Sequence, residues 1–343
     1  MRQPFDPLPP QASPQALSVG NVVSAGFRLY SNHLQEYLTL AFRATGWTMI
    51  PLVTTFVVVI FLIAFAAAGT GTGTDNAGPI FISILLGLIL AIPIFFLWIF
   101  CFAKFYTNTA LISRLAYGAL TNQPESIREG LQAIRAKMWN FWLVQFLIWG
   151  ILVGVNFLFS FVQQILLILP AAFVGSGRDN TGTGIAAILI GLITFAIVLV
   201  QWGVQLWVSA RLFIPELSIA LEDRIGADKA IGRSWSLSKG HSLRIMLVLL
   251  VAGLITAPLY FLILIPMAVF LIGQVQRLAS LSGLESPDPG TFVSFVIAIA
   301  LGSILLTLLN IFVLPFWQAI KAVIYYDLRI RREGLGLELR DRT

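Results

Sequence analysis

Long apolar runs, separated by short polar connections, dominate the hydrophobic pattern of this chain. Six runs contain no Asp, Glu, Lys, Arg or His: residues 47–68, 79–103, 141–173, 184–210, 245–272 and 291–320. Each run exceeds the roughly 20 residues that a helix needs to cross about 30 Å of hydrocarbon at 1.5 Å per residue. The third run is too long for one perpendicular helix, so we expect it to tilt or to end along the membrane surface. The pattern predicts an all-α integral membrane protein with six transmembrane helices.

A shorter helical pattern precedes the first apolar run. The apolar positions recur at helical spacing and comprise Val19, Val22, Val23, Gly26, Phe27 and Tyr30, whereas Asn21, Ser24, Arg28 and Ser31 face the other way. Ser18 stands at the position of an N-cap. The pattern predicts an amphipathic helix that lies along the membrane surface.

Similar short patterns precede the third and fifth runs. Residues 125–138 place Ile127, Leu131, Ile134 and Met138 on one face. Residues 227–238 place Ile231, Ser234, Trp235 and Ser238 on one face, while Arg233 and Lys239 lie off it. We expect Trp235 at the depth of the lipid headgroups, with the cations directed toward lipid phosphates.

The order of elements therefore repeats three times, as a surface helix followed by two spans. The repeats cover about 18–106, 125–213 and 227–326, and aligning the segments FRLYSNHL and WSLSKGHS superposes His33 on His241. Repeats of this kind often build a pseudo-symmetric bundle. We expect residues 18–330 to form one six-helix membrane domain, with a disordered, Pro-rich cytoplasmic tail at 1–17 and a cytoplasmic C-terminal tail at 331–343.

The distribution of positive charge predicts the orientation of this domain. Twenty of the 22 Lys and Arg residues lie in the N-terminal segment, in the second and fourth connections between the runs, or in the C-terminal segment. By the positive-inside rule both termini are predicted to be cytoplasmic, and we expect the chain in a bacterial inner (cytoplasmic) membrane. The net charge of +6 comes from cations that flank apolar runs, so no nucleic-acid partner is expected.

The composition supports a membrane protein and offers little chemistry for an enzyme. Hydrophobic residues make up 58% and charged residues 11%, whereas soluble domains carry about 25% charged residues. The single cysteine, Cys101, excludes an intrachain disulfide and a multi-cysteine metal site. No GxSxG, HExxH or CxxC motif occurs, and the Gly-Thr connections lack the lysine of a phosphate-binding P-loop. We therefore expect no catalytic activity, no cofactor and no metal.

Two segments resemble a known family of membrane domains. AIGRSWSLSKGHSLRIMLVL, at 230–249, resembles the "A…SW.L.KG…" motif of the membrane domain associated with glycerophosphoryl diester phosphodiesterases. VIYYDLRIRREGLGLEL, at 323–339, is similar to the "YYDLRxRxEGxDL" ending of that family and of related bacterial multipass membrane proteins, except that Gly336 replaces the usual Asp. In the name-giving proteins the enzyme is a separate soluble TIM barrel of about 250 residues, so the resemblance implies a membrane module without phosphodiesterase activity.

Interfacial residues at the predicted cytoplasmic side are the candidate contacts for lipid or a partner. They are Arg28, His33, Arg233, Trp235, Lys239, His241, Arg244, Tyr326, Asp327 and Arg329. The two histidines form either a paired phosphate-binding or pH-sensing site or a duplicated helix-end feature. The cations either bind anionic lipid or serve only to set the topology. The charged residues at 327–333 either pair with one another and with the surface helices or form a solvated charge run.

Polar residues inside the spans have two interpretations as well. These residues are Asn156, Gln163, Gln164, Gln201, Gln205, Asn310 and Gln318. They either line a substrate path or form interhelical hydrogen bonds.

The function expected from the sequence is non-enzymatic: a structural or lipid-associated membrane protein whose surface helices contact anionic lipid or a protein partner. The alternative is a transporter or flippase for a lipid or an amphiphilic small molecule.

Overall fold

The computed structural model describes residues 18–70, 77–174, 180–222, 225–281 and 289–333, and every regular element in these ranges is an α-helix. The helices are α1 (Val19–Asn32), α2 (Leu34–Thr70), α3 (Ala77–Leu120), α4 (Ile127–Arg135), α5 (Met138–Val174), α6 (Asn180–Arg211), α7 (Pro215–Leu221), α8 (Ala227–Ser238), α9 (Ser242–Leu281) and α10 (Pro289–Glu333). The predicted tail at 1–17 lies outside the described residues, as does most of the tail predicted at 331–343, since α10 continues to Glu333.

Six of these helices are long and apolar enough to cross a membrane, which confirms the predicted fold class at this level. They are α2, α3, α5, α6, α9 and α10. The longest, α3 and α10, contain 44 and 45 residues. At 1.5 Å per residue each is about 66 Å long, roughly twice the thickness of the hydrocarbon layer. Both helices are therefore longer than the hydrocarbon layer alone requires.

The buried side chains concentrate at one end of the bundle. This packed end comprises the short helices α1, α4, α7 and α8, the starts of α2, α5 and α9, the end of α6, α3 from residue 101 and α10 from residue 313. Away from it, the long helices leave large apolar side chains more than half exposed, for example Phe81, Leu192 and Leu262. Such surfaces suit contact with lipid acyl chains. The packed end carries most of the described Lys and Arg residues, so it is the end that the charge pattern predicts to be cytoplasmic.

The short helix α1 packs against α9 and α10 at the packed end. Ser18 caps it, since its hydroxyl oxygen accepts a hydrogen bond from the backbone N–H of Asn21 at 3.2 Å. Val22, Val23, Gly26 and Leu29 are buried. A Cβ on Gly26 would lie only 2.8 Å from Cγ1 of Ile320, so the absence of a side chain lets the two helices approach closely.

The helices α4 and α8 pack at the same end. Ser126 and Glu129 form a capping box at the start of α4, and the face of α4 that contains Gly130 and Ile134 is buried against α3. The buried face of α8 comprises Ala227, Ala230, Ser234, Leu237 and Ser238. It includes two of the four positions predicted to share a face, but Trp235 lies at its edge and is 41% exposed. Small Ala and Ser side chains let α8 approach its neighbours more closely than Trp235 permits.

Polar side chains within the spans join neighbouring helices. The Gln201 amide lies between two partners, because its Nε2 donates to Oδ1 of Asn156 and its Oε1 accepts from Nε2 of Gln163, both at 2.9 Å. These bonds connect α5 to α6. Likewise, the Tyr260 hydroxyl of α9 donates to Oδ1 of Asn310 in α10 at 3.1 Å. For these residues the structure shows interhelical hydrogen bonding, one of the two interpretations left open by the sequence.

Candidate functional site: a charged network around helix α7

The short helix α7 lies inside the packed end and contacts α3, α5, α8 and α10. Its first residue is Pro215, whose missing N–H costs nothing at a helix start, and Glu216 in the first turn complements the positive end of the helix dipole. Residues 215–220 are all buried. A buried helix in the connection between the fourth and fifth spans is absent from the sequence-based prediction.

A buried ion pair connects α7 to α10. The Nζ of Lys321 donates to Oε1 of Glu216, and the two side chains are only 12% and 8% exposed. The same ammonium lies 5.1 Å from the centre of the Phe213 ring, within the range of a cation–π interaction. Each charge compensates the other in a region that excludes water, so loss of either partner leaves an isolated buried charge.

Two further cations bind the carbonyl end of α7. Lys137 Nζ donates to the carbonyl oxygens of Ile219 and Glu222 at 3.0 and 2.9 Å, and Arg114 Nη1 donates to that of Ala220. These carbonyls have no partner within a seven-residue helix, and cations near them also complement the helix dipole. Arg114 in turn binds both carboxylate oxygens of Glu125, at 2.7 and 2.9 Å. The charged groups therefore hold α7 against α3 and the region around α4.

A second group of charges extends from the end of α7 through α8 to the end of α10. Glu222 accepts hydrogen bonds from Arg233 Nε at 3.1 Å and from the Tyr325 hydroxyl at 2.8 Å. Arg233 also pairs with Glu333, which binds Arg329 Nε at 2.7 Å. Burial alone lowers the pKa of Arg233, but its two carboxylate partners raise that pKa above the usual range. Arg233 therefore remains charged and is held, partly buried, by Glu222 and Glu333.

A third group joins α9 to α10. Oδ2 of Asp327 accepts hydrogen bonds from Arg244 Nη1 at 3.0 Å and from Arg331 Nε at 2.9 Å. His241 lies beside this group. Burial, followed by the positive charges of Arg331, Arg332 and Arg244, lowers the pKa of His241, and the negative charge of Asp327 opposes this only in part. The His241 imidazole is therefore neutral at pH 7.

The structure separates the ten predicted site residues into two sets. Arg233, Arg244, Asp327 and Arg329 belong to the charged network, His241 is adjacent to it, and Tyr326 packs with its ring centre 6.4 Å from that of Tyr117. Arg28, Trp235 and Lys239 are exposed, while His33 is partly exposed beside Glu36 and Tyr37. The two histidines contact different residues. A role for any of the ten in binding lipid or a partner stays a prediction.

Several members of the network are absent from the sequence-based list of candidates, notably Glu216, Glu222 and Lys321. Glu216 directly follows a proline and an apolar segment, and Lys321 directly follows the sixth apolar run. Those positions resemble ordinary juxtamembrane charges. Only the return of the fourth connection into the bundle brings the two together, and the hydrophobic pattern gives no signal for that return.

The chemistry of the network is that of ion pairing. Each carboxylate of the network, namely Glu125, Glu216, Glu222, Asp327 and Glu333, has a cationic partner. No group of three or more His, Cys, Asp or Glu residues suited to a metal ion occurs in the described ranges. Comparison with protein-family models, curated proteins and solved structures finds no match to this chain. The arrangement supports interhelical cohesion at the packed end.

Proposed function

We propose that this chain is a non-enzymatic multipass protein of a bacterial inner membrane, with both termini in the cytoplasm. In this proposal three units, each a surface helix followed by two spans, carry amphipathic helices that contact anionic lipid or a protein partner at the cytoplasmic face. The role is structural or lipid-associated. The two sequence motifs that resemble the phosphodiesterase-associated membrane module support this proposal.

The division of the cations into two sets is the observation that carries this proposal. Five arginines at the packed end are each paired with a carboxylate, namely Arg114, Arg233, Arg244, Arg329 and Arg331. In contrast, the exposed sides of the short helices and their ends carry cations without an acidic partner within 4 Å among the described residues: Arg28, Arg128, Arg135, Lys229 and Lys239. Each such cation near an anionic membrane surface contributes about 1 kcal/mol to the attraction.

The identity of the lipid that the intact protein retains tests the proposal. The full chain is reconstituted into nanodiscs that contain anionic and neutral phospholipids, and the lipids retained after gentle detergent extraction are identified by mass spectrometry. We expect retained lipid to be enriched in the anionic species over the bulk mixture. Replacing Arg28→Gln, Arg128→Gln and Lys239→Gln together should abolish the enrichment, whereas Arg28→Lys, Arg128→Lys and Lys239→Arg together should preserve it. If the Gln variant and the charge-preserving variant retain anionic lipid to the same extent, the lipid role is contradicted.

The alternative function is a transporter or flippase for a lipid or amphiphile. The buried Glu216–Lys321 pair, next to the ends of the spans, favours it because buried ionisable groups often mark translocation paths. Prolines inside α2, α3, α9 and α10 add possible breaks in the spans. A fluorescent-lipid translocation assay in proteoliposomes tests this function. Translocation that is lost with Glu216→Gln and Lys321→Met combined supports it, and a rate equal to that of protein-free liposomes excludes it for that lipid.

A further inference from the structure

We propose that Arg211, Trp207 and Trp235 form a binding site for the phosphate group of a membrane phospholipid, at the junction of α6 and α8. The inference rests on the proposed lipid-associated function and assigns a particular site and ligand class to it. None of the short-helix cations discussed above is part of this site.

The three side chains form a compact cluster of two rings and one cation. The guanidinium carbon of Arg211 lies 5.3 Å from the centre of the Trp207 ring and 4.8 Å from that of the Trp235 ring. The two indole rings are 5.5 Å apart and nearly perpendicular, at 84°. Contact with two aromatic rings displaces much of the water around the Arg211 guanidinium and fixes its orientation.

Hydrogen bonds hold this cluster in place from both helices. Arg211 Nη1 donates to the carbonyl oxygen of Trp235 at 3.1 Å. In the opposite direction, the Ser234 hydroxyl donates to the carbonyl oxygen of Arg211 at 2.6 Å. The last turn of α6 is thus fixed against the last turn of α8, and the guanidinium is preorganised before any ligand arrives.

Unlike the paired arginines of the packed end, Arg211 has no carboxylate partner in the described ranges. No acidic side chain of the described ranges lies within 4 Å of it, and its Nε is buried without a hydrogen-bond partner. Its Nη2 also has no partner there, but it is not buried. The accessible Nη2 of this preorganised guanidinium can therefore donate to an anion, with no carboxylate in competition, and a guanidinium N–H is a strong donor to the oxygens of a phosphate group.

The position of the site selects a phospholipid over free phosphate. Arg211 is the last residue of α6, a candidate span, and Trp235 is 41% exposed. Trp side chains favour the membrane–water interface, which is the depth of lipid phosphates. Earlier in α6, on the same helical face as Arg211, Val200 and Ile193 expose apolar surface along which acyl chains can lie. Inorganic phosphate would gain nothing from that surface.

Native mass spectrometry of the full chain, titrated with a short-chain anionic phospholipid, tests the site. We expect Arg211→Gln to weaken binding of the first lipid by at least tenfold, since hydrogen bonds to charged groups contribute about 1.5–3 kcal/mol. Arg43→Gln removes an exposed cation from α2 that has no aromatic partner in the described ranges and serves as the control. It should change the affinity less than twofold. Equal loss in both variants would overturn the site, because it would indicate only a general effect of surface charge.

One further variant and a competition experiment complete the test. Trp235→Leu retains the charge and removes one ring, and should weaken lipid binding while leaving the melting temperature within a few degrees. If millimolar inorganic phosphate displaces the lipid, the anion site is not lipid-specific and the proposal fails. The proposal that the short helices contact anionic lipid, the short-helix proposal, is tested by a separate variant. Loss of anionic enrichment in the Arg28/Arg128/Lys239 variant with no effect of Arg211→Gln refutes this site alone, and the converse result refutes the short-helix proposal alone.

Discussion

The charged residues at the packed end differ in whether they depend on a partner of opposite charge. Lys321 and Glu216 are both nearly inaccessible, so each depends on the other for compensation. Exposed cations such as Arg28 and Lys239 have no such dependence. Counting Lys and Arg along the sequence treats both kinds alike and serves only to predict orientation. Some of the pairs join residues more than 80 positions apart, such as Arg244 with Asp327 and Lys321 with Glu216, and these pairs are not encoded in any local pattern.

The Glu216–Lys321 pair yields a prediction about stability. Glu216→Gln leaves a buried ammonium without its counter-charge and should destabilise the protein by about 3–5 kcal/mol. Combining Glu216→Gln with Lys321→Met removes both charges and should restore most of that loss. The midpoint of thermal unfolding in mild detergent, measured for both single variants and the double variant, checks this. A double variant that is as unstable as the sum of the single variants would show that the pair is not coupled.

His241 yields a prediction about pH. Its pKa is lower in the folded protein than in the unfolded chain, so the unfolded chain takes up a proton first as the pH falls below about 6.5. The stability supplied by neutral His241 is therefore complete above that pH and declines as the pH falls, until the pKa of the folded state is passed. The charged groups next to it are Arg244, Arg331, Arg332 and Asp327.

The comparison with His241→Gln isolates this effect. Between pH 7.5 and 5.5 the melting temperature of the unmodified protein should fall more steeply than that of the variant. NMR of protein with labelled histidine then gives the pKa directly, since only two histidines are present and the variant assigns them. An His241 pKa at or above 6.5 contradicts the inferred surroundings.

At the scale of elements, the hydrophobic pattern predicts the long helices well and the placement of the short ones only in part. The six spans follow from length and composition alone, because a bilayer imposes both. Ser18 is correctly predicted as the cap of α1. Burial of α8 is less well predicted because Ala227 and Ala230 carry little hydrophobic signal. The helix α7 is missed, since seven residues provide two turns and no readable periodicity.

The docking of α1 yields a prediction with an internal control. A methyl group on Gly26 would meet Ile320 Cγ1 at 2.8 Å and Ile320 Cα at 3.3 Å, so Gly26→Ala should push α1 away from α10. Gly20 lies on the same helix and a Cβ there would have no neighbour within 4 Å. Gly20→Ala should thus be neutral or stabilising by up to about 1 kcal/mol. Hydrogen exchange of the α1 amides should accelerate in Gly26→Ala only, and equal exchange in the two variants contradicts the close contact.

At the scale of the whole molecule, one end of the bundle is tightly packed and charged, while the long helices elsewhere present apolar side chains to their surroundings. The short helices α1, α4 and α8 all pack at the charged end. The end at which the side chains pack is also the end that carries most of the described Lys and Arg residues. The proposed lipid contacts and the Arg211 site both lie at that end.

Hydrogen exchange of the full chain in nanodiscs is the most direct measurement of the proposed contact with anionic lipid. The protein is compared in two preparations that differ only in whether part of the neutral phospholipid is replaced by an anionic one. We predict slower exchange in α1, α4 and α8 with anionic lipid, and no change in the middle of the spans, where exchange is slow in both. Identical exchange of the three short helices in the two preparations would contradict the lipid-associated function.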